Sequence, residues 1–217
     1  MHVKRKTIGK FWPIPRKGTK YVAVPKHNKK DSLSLIIVIR DILKIVRNKK
    51  ELKRLLNEGK IQVNHKIVRE ATYPISLFDI ITLPEAKKHF KAELSPQKKM
   101  IFKELSEKES ESKIYKILNK RLIEDGKVQF NLMHGKNILI KEKANVGDSL
   151  LFNMKSNKVE KVIPMEKGKE AFVVDGKHAG NIGKIEEIIE RGGKKLAKIN
   201  SKEGKINVWI KNIIVVK

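Results

Sequence analysis

Gly176, Gly180, Gly183 and Lys184 are the residues whose spacing most directly invites chemistry, because a glycine-rich loop ending in lysine can cradle phosphate. Their intervals of four and three residues are not those of a dinucleotide-binding fingerprint. Ile185 follows Lys184 where a nucleotide-binding loop needs a hydroxyl for magnesium, and the next residues predict a strand, so no helix N-terminus faces the loop. The histidines His2, His27, His65, His89, His134 and His178 are scattered, with no H-x-x-x-H or H-E-x-x-H pair to converge on a metal. Cysteine is absent, which excludes disulfides, thiolate metal sites and thiol nucleophiles. No G-x-S-x-G elbow occurs. The chain therefore reads as a non-enzyme, with no cofactor, no metal and no small-molecule substrate.

Cationic charge is what the sequence has in excess. The formal net charge is +26 over 217 residues, and the first thirty residues hold ten Lys or Arg without a single Asp or Glu. These are Lys4, Arg5, Lys6, Lys10, Arg16, Lys17, Lys20, Lys26, Lys29 and Lys30. So basic a segment repels itself and calls for a dense polyanion, of which phosphate backbone is the commonest. Phe11, Trp12 and Tyr21 are interleaved with the cations. Aromatics can stack on splayed bases while cations meet phosphates; alternatively, Phe11 and Trp12 staple the arm to the next domain. Pro13, Pro15 and Pro25 block helix, and the free arm is expected to be disordered or only partly docked. No apolar run approaches the ~18 residues of a membrane span, and the charged N-terminus lacks the apolar stretch of a secretory signal.

Several elements must position these residues. Leu35, Ile39, Ile42 and Val46 recur at helical spacing after a cap at Ser32 or Ser34, with Arg40, Asp41 and Lys44 outward. A second helix starts at Asn48, with Glu51 three residues on as in a capping box, a stripe of Leu52, Leu55 and Leu56, and Gly59 placed to end it. Lys49, Lys50, Lys53 and Arg54 crowd its first turns. Cations there oppose the helix dipole unless a phosphate docks on the free N–H groups. Strands are expected at 61–63, 67–68 and 80–83, with a turn at Asn64-His65, and at 127–131, 137–141 and 149–153. A short helix is expected near 107–112, while 113–123 fits strand or helix equally. The last 47 residues alternate strand signals with glycine turns, as in a small five-stranded barrel.

Residues 49–68, KKELKRLLNEGKIQVNHKIV, with Phe78-Asp79-Ile80 beyond, resemble an S4-type RNA-binding domain. That resemblance implies that Lys49, Lys50, Lys53, Arg54 and the turn at Asn64 grip folded RNA, with Lys66 and Arg69 as neighbouring candidates. His65 and Phe78 stand where such domains commonly carry glycine. GKHAGNIGKIEEI, 176–188, resembles a KOW motif, which implies contacts from Lys177, His178, Asn181 and Lys184. The order of parts, with ATYPISLFDIITL, NVGDSLLF, HAGNIGKI and KNIIVV, resembles the archaeal and eukaryotic small-subunit ribosomal protein S4e family.

The resemblance implies an α+β, mostly β chain in four parts. These are a basic N-terminal extension (1–33), a small α/β S4-type domain (34–90), a central β-rich domain (91–169) and a C-terminal SH3-like KOW barrel (170–217). It implies a cytoplasmic, ribosome-associated structural protein whose partners are small-subunit ribosomal RNA and neighbouring small-subunit proteins, with no membrane. The arm would thread a groove, the second helix would clamp backbone phosphates, and the KOW loop would hold a distant segment. A non-ribosomal RNA-binding or transcription factor and an RNA-modifying enzyme are the alternatives.

Overall fold

The computed structural model describes residues 2–123, 128–140, 143–201 and 204–216. The chain forms two compact units, Met1–Lys113 and Ile114–Lys217. It is mostly β with few helices, as expected.

In the first unit, β1 (His2–Lys4) pairs antiparallel with β2 (Tyr21–Ala23), and β3 (Ser32–Ser34) leads into a helical segment. That segment is α1 (Leu35–Ile37), which widens into a π-helical turn over Val38–Ile42. The expected regular helix out to Val46 does not form. Leu35 to Ile39 are all buried, so packing surrounds them on every side, and the β-branched run disfavours a tight α-turn. Ser34 occupies the cap position, but its hydroxyl donates to Ala71 O instead of capping. The first helical N–H groups are met by Tyr73 O and Ala71 O, each at 2.9 Å.

Next come α2 (Lys49–Asn57), β4 (Gln62–Val63), β5 (Lys66–Ile67), β6 (Pro74–Ser76), β7 (Ile80–Leu83), β8 (Lys88–Leu94) and β9 (Met100–Leu105). The sheet order is β5-β4-β7-β8-β9, and β3 pairs with β6. α2 buries Leu52 and Leu56 in the core that also holds Leu35, Ile37, Ile61 and Ile75. The helix expected near 107–112 is a 3-10 turn, Lys108–Glu111.

The ambiguous stretch after it is a strand, β10 (Ser112–Leu122). It centres the sheet β12-β11-β10-β13-β14, built with β11 (Val128–Leu132), β12 (Asn137–Ile140), β13 (Ser149–Asn153) and β14 (Lys158–Ile163). The expected strand ends at Lys127 and Lys141 lie outside the described residues. Tyr115, Ile117, Phe130, Leu150 and Phe152 fill its core. The C-terminal strands are β15 (Glu170–Val173), β16 (Ile182–Arg191), β17 (Lys194–Ser201), β18 (Gly204–Trp209) and β19 (Ile213–Val215). They form an antiparallel sheet in the order β18-β17-β16-β15-β19 over a core of Ala171, Ile185, Ile199 and Ile213.

Candidate nucleic-acid interface

The arm departs from expectation: it is folded. His2, Val3 and Lys4 pair with Ala23, Val22 and Tyr21, and Met100 N donates to Phe11 O at 2.9 Å. Trp12 is only 4% exposed and belongs, with Val22 and Val24, to the core of the first unit. The arm carries enough apolar surface to dock, which offsets the ordering entropy that its charge alone could not. Of the three aromatics, Tyr21 remains exposed, Phe11 is half-buried, and Trp12 is closed to base stacking.

Arg5 braces the loop that follows β1. Its Nε donates to Thr19 O at 2.7 Å, Nη1 to Pro15 O at 2.7 Å and Nη2 to Thr19 Oγ1 at 2.9 Å. Lys4, Arg5, Lys6, Arg16, Lys17, Gly18, Thr19 and Lys20 line a cavity of about 690 Å³. Lys20 Nζ lies 5.4 Å from the Tyr21 ring centre, a cation–π distance. Lys4, Lys6, Lys10, Arg16, Lys17, Lys20, Lys29 and Lys30 are exposed, and none has a carboxylate partner among the described residues. Lys26 pairs with Glu70 at 2.9 Å.

α2 begins as the sequence implies, with one change. Asn48 Oδ1 accepts from Glu51 N at 2.9 Å, but the Glu51 carboxylate reaches back to Arg47 N at 2.7 Å, one residue beyond the usual box. Gly59, at φ 71°, ends the helix: Gly59 N donates to Leu56 O and Lys60 N to Leu55 O, the Schellman pattern. Lys49, Lys50, Lys53 and Arg54 are all exposed. Arg54 pairs with Glu58 at 2.9 Å, while Lys49, Lys50 and Lys53 have no ion pair among the described residues. Hydrogen bonds from Lys60 and then Arg54 hold the Glu58 carboxyl below the usual range.

Arm and helix meet. A second cavity, about 350 Å³, is lined by Arg5, Thr19 and Tyr21 from the arm and by Arg40, Asp41 and Lys49 from the helical segments. Arg5 of the arm and Lys49 of α2 therefore line one space in the first unit.

The turn between β4 and β5 has φ 52° at Asn64 and 59° at His65, the left-handed pair of a type I′ hairpin. Asn64 is spent on positioning it: its amide donates to Asp79 Oδ1 at 2.7 Å, and its oxygen accepts from Ile80 N at 3.0 Å. Lys66 and Arg69 beside it are exposed. In the second unit, the loop between β15 and β16 exposes Lys177, half-buries His178 and buries Asn181, while Lys184 is exposed within the first residues of β16. Gly183 is required there, because a Cβ would lie 2.3 Å from Asn200 O. Two buried lysines went unread: Lys113, paired with Asp79, and Lys116, which donates to the carbonyls of Ile210, Lys211 and Ile213. Alternation signals Lys113, which shares strand parity with the buried Tyr115 and Ile117; Lys116 lies on the opposite parity and has no such signal.

The model of ribosomal family S4e matches residues 86–159. Among curated proteins, the chain is 36% identical over 191 residues to small ribosomal subunit protein eS4 of Methanosphaera stadtmanae, covering 86% of this chain and 79% of that one. It is 31% identical over 221 residues to the Archaeoglobus fulgidus protein of the same name, covering 100% and 93%. Among solved structures, the crystal structure of 30S ribosomal protein S4e from Thermoplasma acidophilum has the same fold, with a TM-score of 0.75 at 23% identity over 87% of this chain and 96% of that one. On these identities and coverages, the chain belongs to the ribosomal protein S4e family.

Proposed function

We propose that this chain is a structural constituent of the small ribosomal subunit that binds small-subunit ribosomal RNA and acts in the cytoplasm beside neighbouring small-subunit proteins. Membership of the family supports that role. The observation that supports particular residues is the cavity shared by Arg5, Tyr21 and Lys49, which brings the arm beside the start of α2. Lys4, Lys6, Lys10, Arg16, Lys17, Lys20, Lys49, Lys50 and Lys53 supply exposed charge from the arm and α2 with no carboxylate partner among the described residues, and Lys66 and Arg69 are exposed after the β4–β5 turn. Lys177 and Lys184 add contacts from the second unit. Neutralising phosphate releases counterions from the RNA, which is the driving force such a face can use.

Within the two units we read a basic extension at 1–33, an S4-type domain at 34–90, a central β-rich domain at 91–169 and a KOW SH3-like barrel at 170–217. The role is non-enzymatic: the chemistry is adhesion. Co-sedimentation tests it. Tagged chain expressed in cells should travel with small subunits through a gradient and stay after a moderate salt wash. Chain found only in the free fraction would favour a non-ribosomal RNA-binding factor.

A further inference from the structure

The arm cleft is more organised than a strand of solvated lysines would be. Six cationic side chains, Lys4, Arg5, Lys6, Arg16, Lys17 and Lys20, surround one cavity of about 690 Å³. The first thirty residues contain no carboxylate that could neutralise them. Both ends of the loop are fixed by backbone: Lys4 pairs with Tyr21 across β1 and β2, and Arg5 N donates to Lys20 O at 2.9 Å. The far side is fixed by the Arg5 guanidinium, which spends three of its N–H donors on Pro15 O, Thr19 O and Thr19 Oγ1. Gly18 permits the close approach. Its φ is 138°, and a Cβ there would lie 2.9 Å from Arg5 Nη2.

Gathering like charges around one space raises the energy of the empty protein, and a single phosphate cannot offset six of them. We propose that this cleft binds closely spaced phosphates, either a tight turn of RNA backbone or a free oligophosphate, with Arg5 as the positioning residue that holds the loop open. Lys4, Lys6, Arg16, Lys17 and Lys20 meet the phosphate oxygens. The inference rests on the RNA-binding reading for its biological source, but the cleft itself can be tested apart from RNA.

Calorimetric titration of the full chain compares orthophosphate with inorganic tripolyphosphate at fixed ionic strength. Tripolyphosphate should bind about tenfold tighter or more, and Lys4→Ala with Lys17→Ala should remove that preference. Removing the same charge elsewhere, by Lys158→Ala with Lys195→Ala, should leave it. Arg5→Lys keeps the charge but not the fork, so it should weaken tripolyphosphate binding nearly as much as Arg5→Ala; full retention in Arg5→Lys would overturn the positioning role. Equal affinity for the two anions, or equal loss in the distant double variant, would overturn the cleft. Filter retention of small-subunit ribosomal RNA separates the sources. A parallel loss in the Lys4 and Lys17 variant identifies RNA backbone, and unchanged RNA retention identifies free oligophosphate. RNA retention by wild type without a tripolyphosphate preference sinks the cleft alone. The preference without RNA retention sinks the RNA-binding reading alone.

Discussion

Lys113 Nζ lies 2.5 Å from Asp79 Oδ1, and both side chains are buried. The same carboxylate accepts from Ser76 N at 2.6 Å and from the Asn64 amide at 2.7 Å. One buried ion pair thus ties the first residues of β10 to the turn that carries the β4–β5 hairpin. Removing a partner strands a charge in low dielectric, so Lys113→Ala should cost about 3–5 kcal/mol in urea unfolding. The exposed pair of Lys26 with Glu70 supplies the contrast: Lys26→Ala should cost less than about 1 kcal/mol. Equal small losses would show that the pair anchors nothing.

Trp12 makes the arm part of the fold. Trp12→Ala should destabilise the first unit by about 3–5 kcal/mol through the cavity it leaves. Its indole N–H is buried and has no hydrogen-bond partner among the described residues. Trp12→Phe removes that unmet donor along with some apolar area, so its loss should be less than half that of alanine. Thermal unfolding of both variants checks the ratio. An arm that melts separately, with the alanine variant unchanged in its main transition, would contradict this packing.

Lys116 gives a dependence on pH. Burial pushes its ammonium down to about 8, while its three carbonyl acceptors favour the charged form and keep it in place. Between about 8 and the usual lysine value near ~10.4, the unfolded chain holds a proton that the folded chain has released. Stability therefore rises with pH through that window, by about 1–3 kcal/mol, and is flat with respect to this group below it. Lys116→Met should abolish the rise. Denaturant unfolding at pH 7.5, 9 and 10.5 reads the difference; identical slopes in wild type and variant would contradict the assignment.

What the sequence made legible were features written locally. Asn48, Glu51, Leu52, Leu56 and Gly59 sit within twelve residues of one another, and α2 follows them from cap to Schellman end. Its neighbour α1 was not legible, because its N–H groups are satisfied by carbonyls at Ala71 and Tyr73, more than thirty residues away. His65 and Phe78 both adopt left-handed backbone, at φ 59° and 62°, the conformation that favours glycine. His65 is held by a ring nitrogen 3.0 Å from Ser110 O, and Phe78 by burial of its ring. Burial of Lys113 and Lys116 was hidden because lysine in a strand normally reads as solvent-facing. The cationic face was legible in composition, but not the Arg5 brace, whose partners Pro15 and Thr19 carry no signal of their own.

The start of α2 should separate binding from stability. Changing Lys49, Lys50 and Arg54 together to Ala should weaken retention of small-subunit ribosomal RNA by about tenfold or more. It should change the melting temperature little, since Lys49 and Lys50 oppose the helix dipole by about 0.3–1 kcal/mol each, while Arg54, in the last turn, gives up an exposed pair worth about 0.3–0.5 kcal/mol. Arg54 should contribute least, because Glu58 already holds its guanidinium. Unaltered RNA retention would remove the helix from the interface.

The most direct measurement is the affinity of the purified chain for small-subunit ribosomal RNA across a salt series. A face that neutralises ~6–10 phosphates should lose about 10³–10⁵-fold in affinity between 50 and 200 mM salt. An affinity that scarcely changes over that range, or no binding at the lowest salt, would contradict the account.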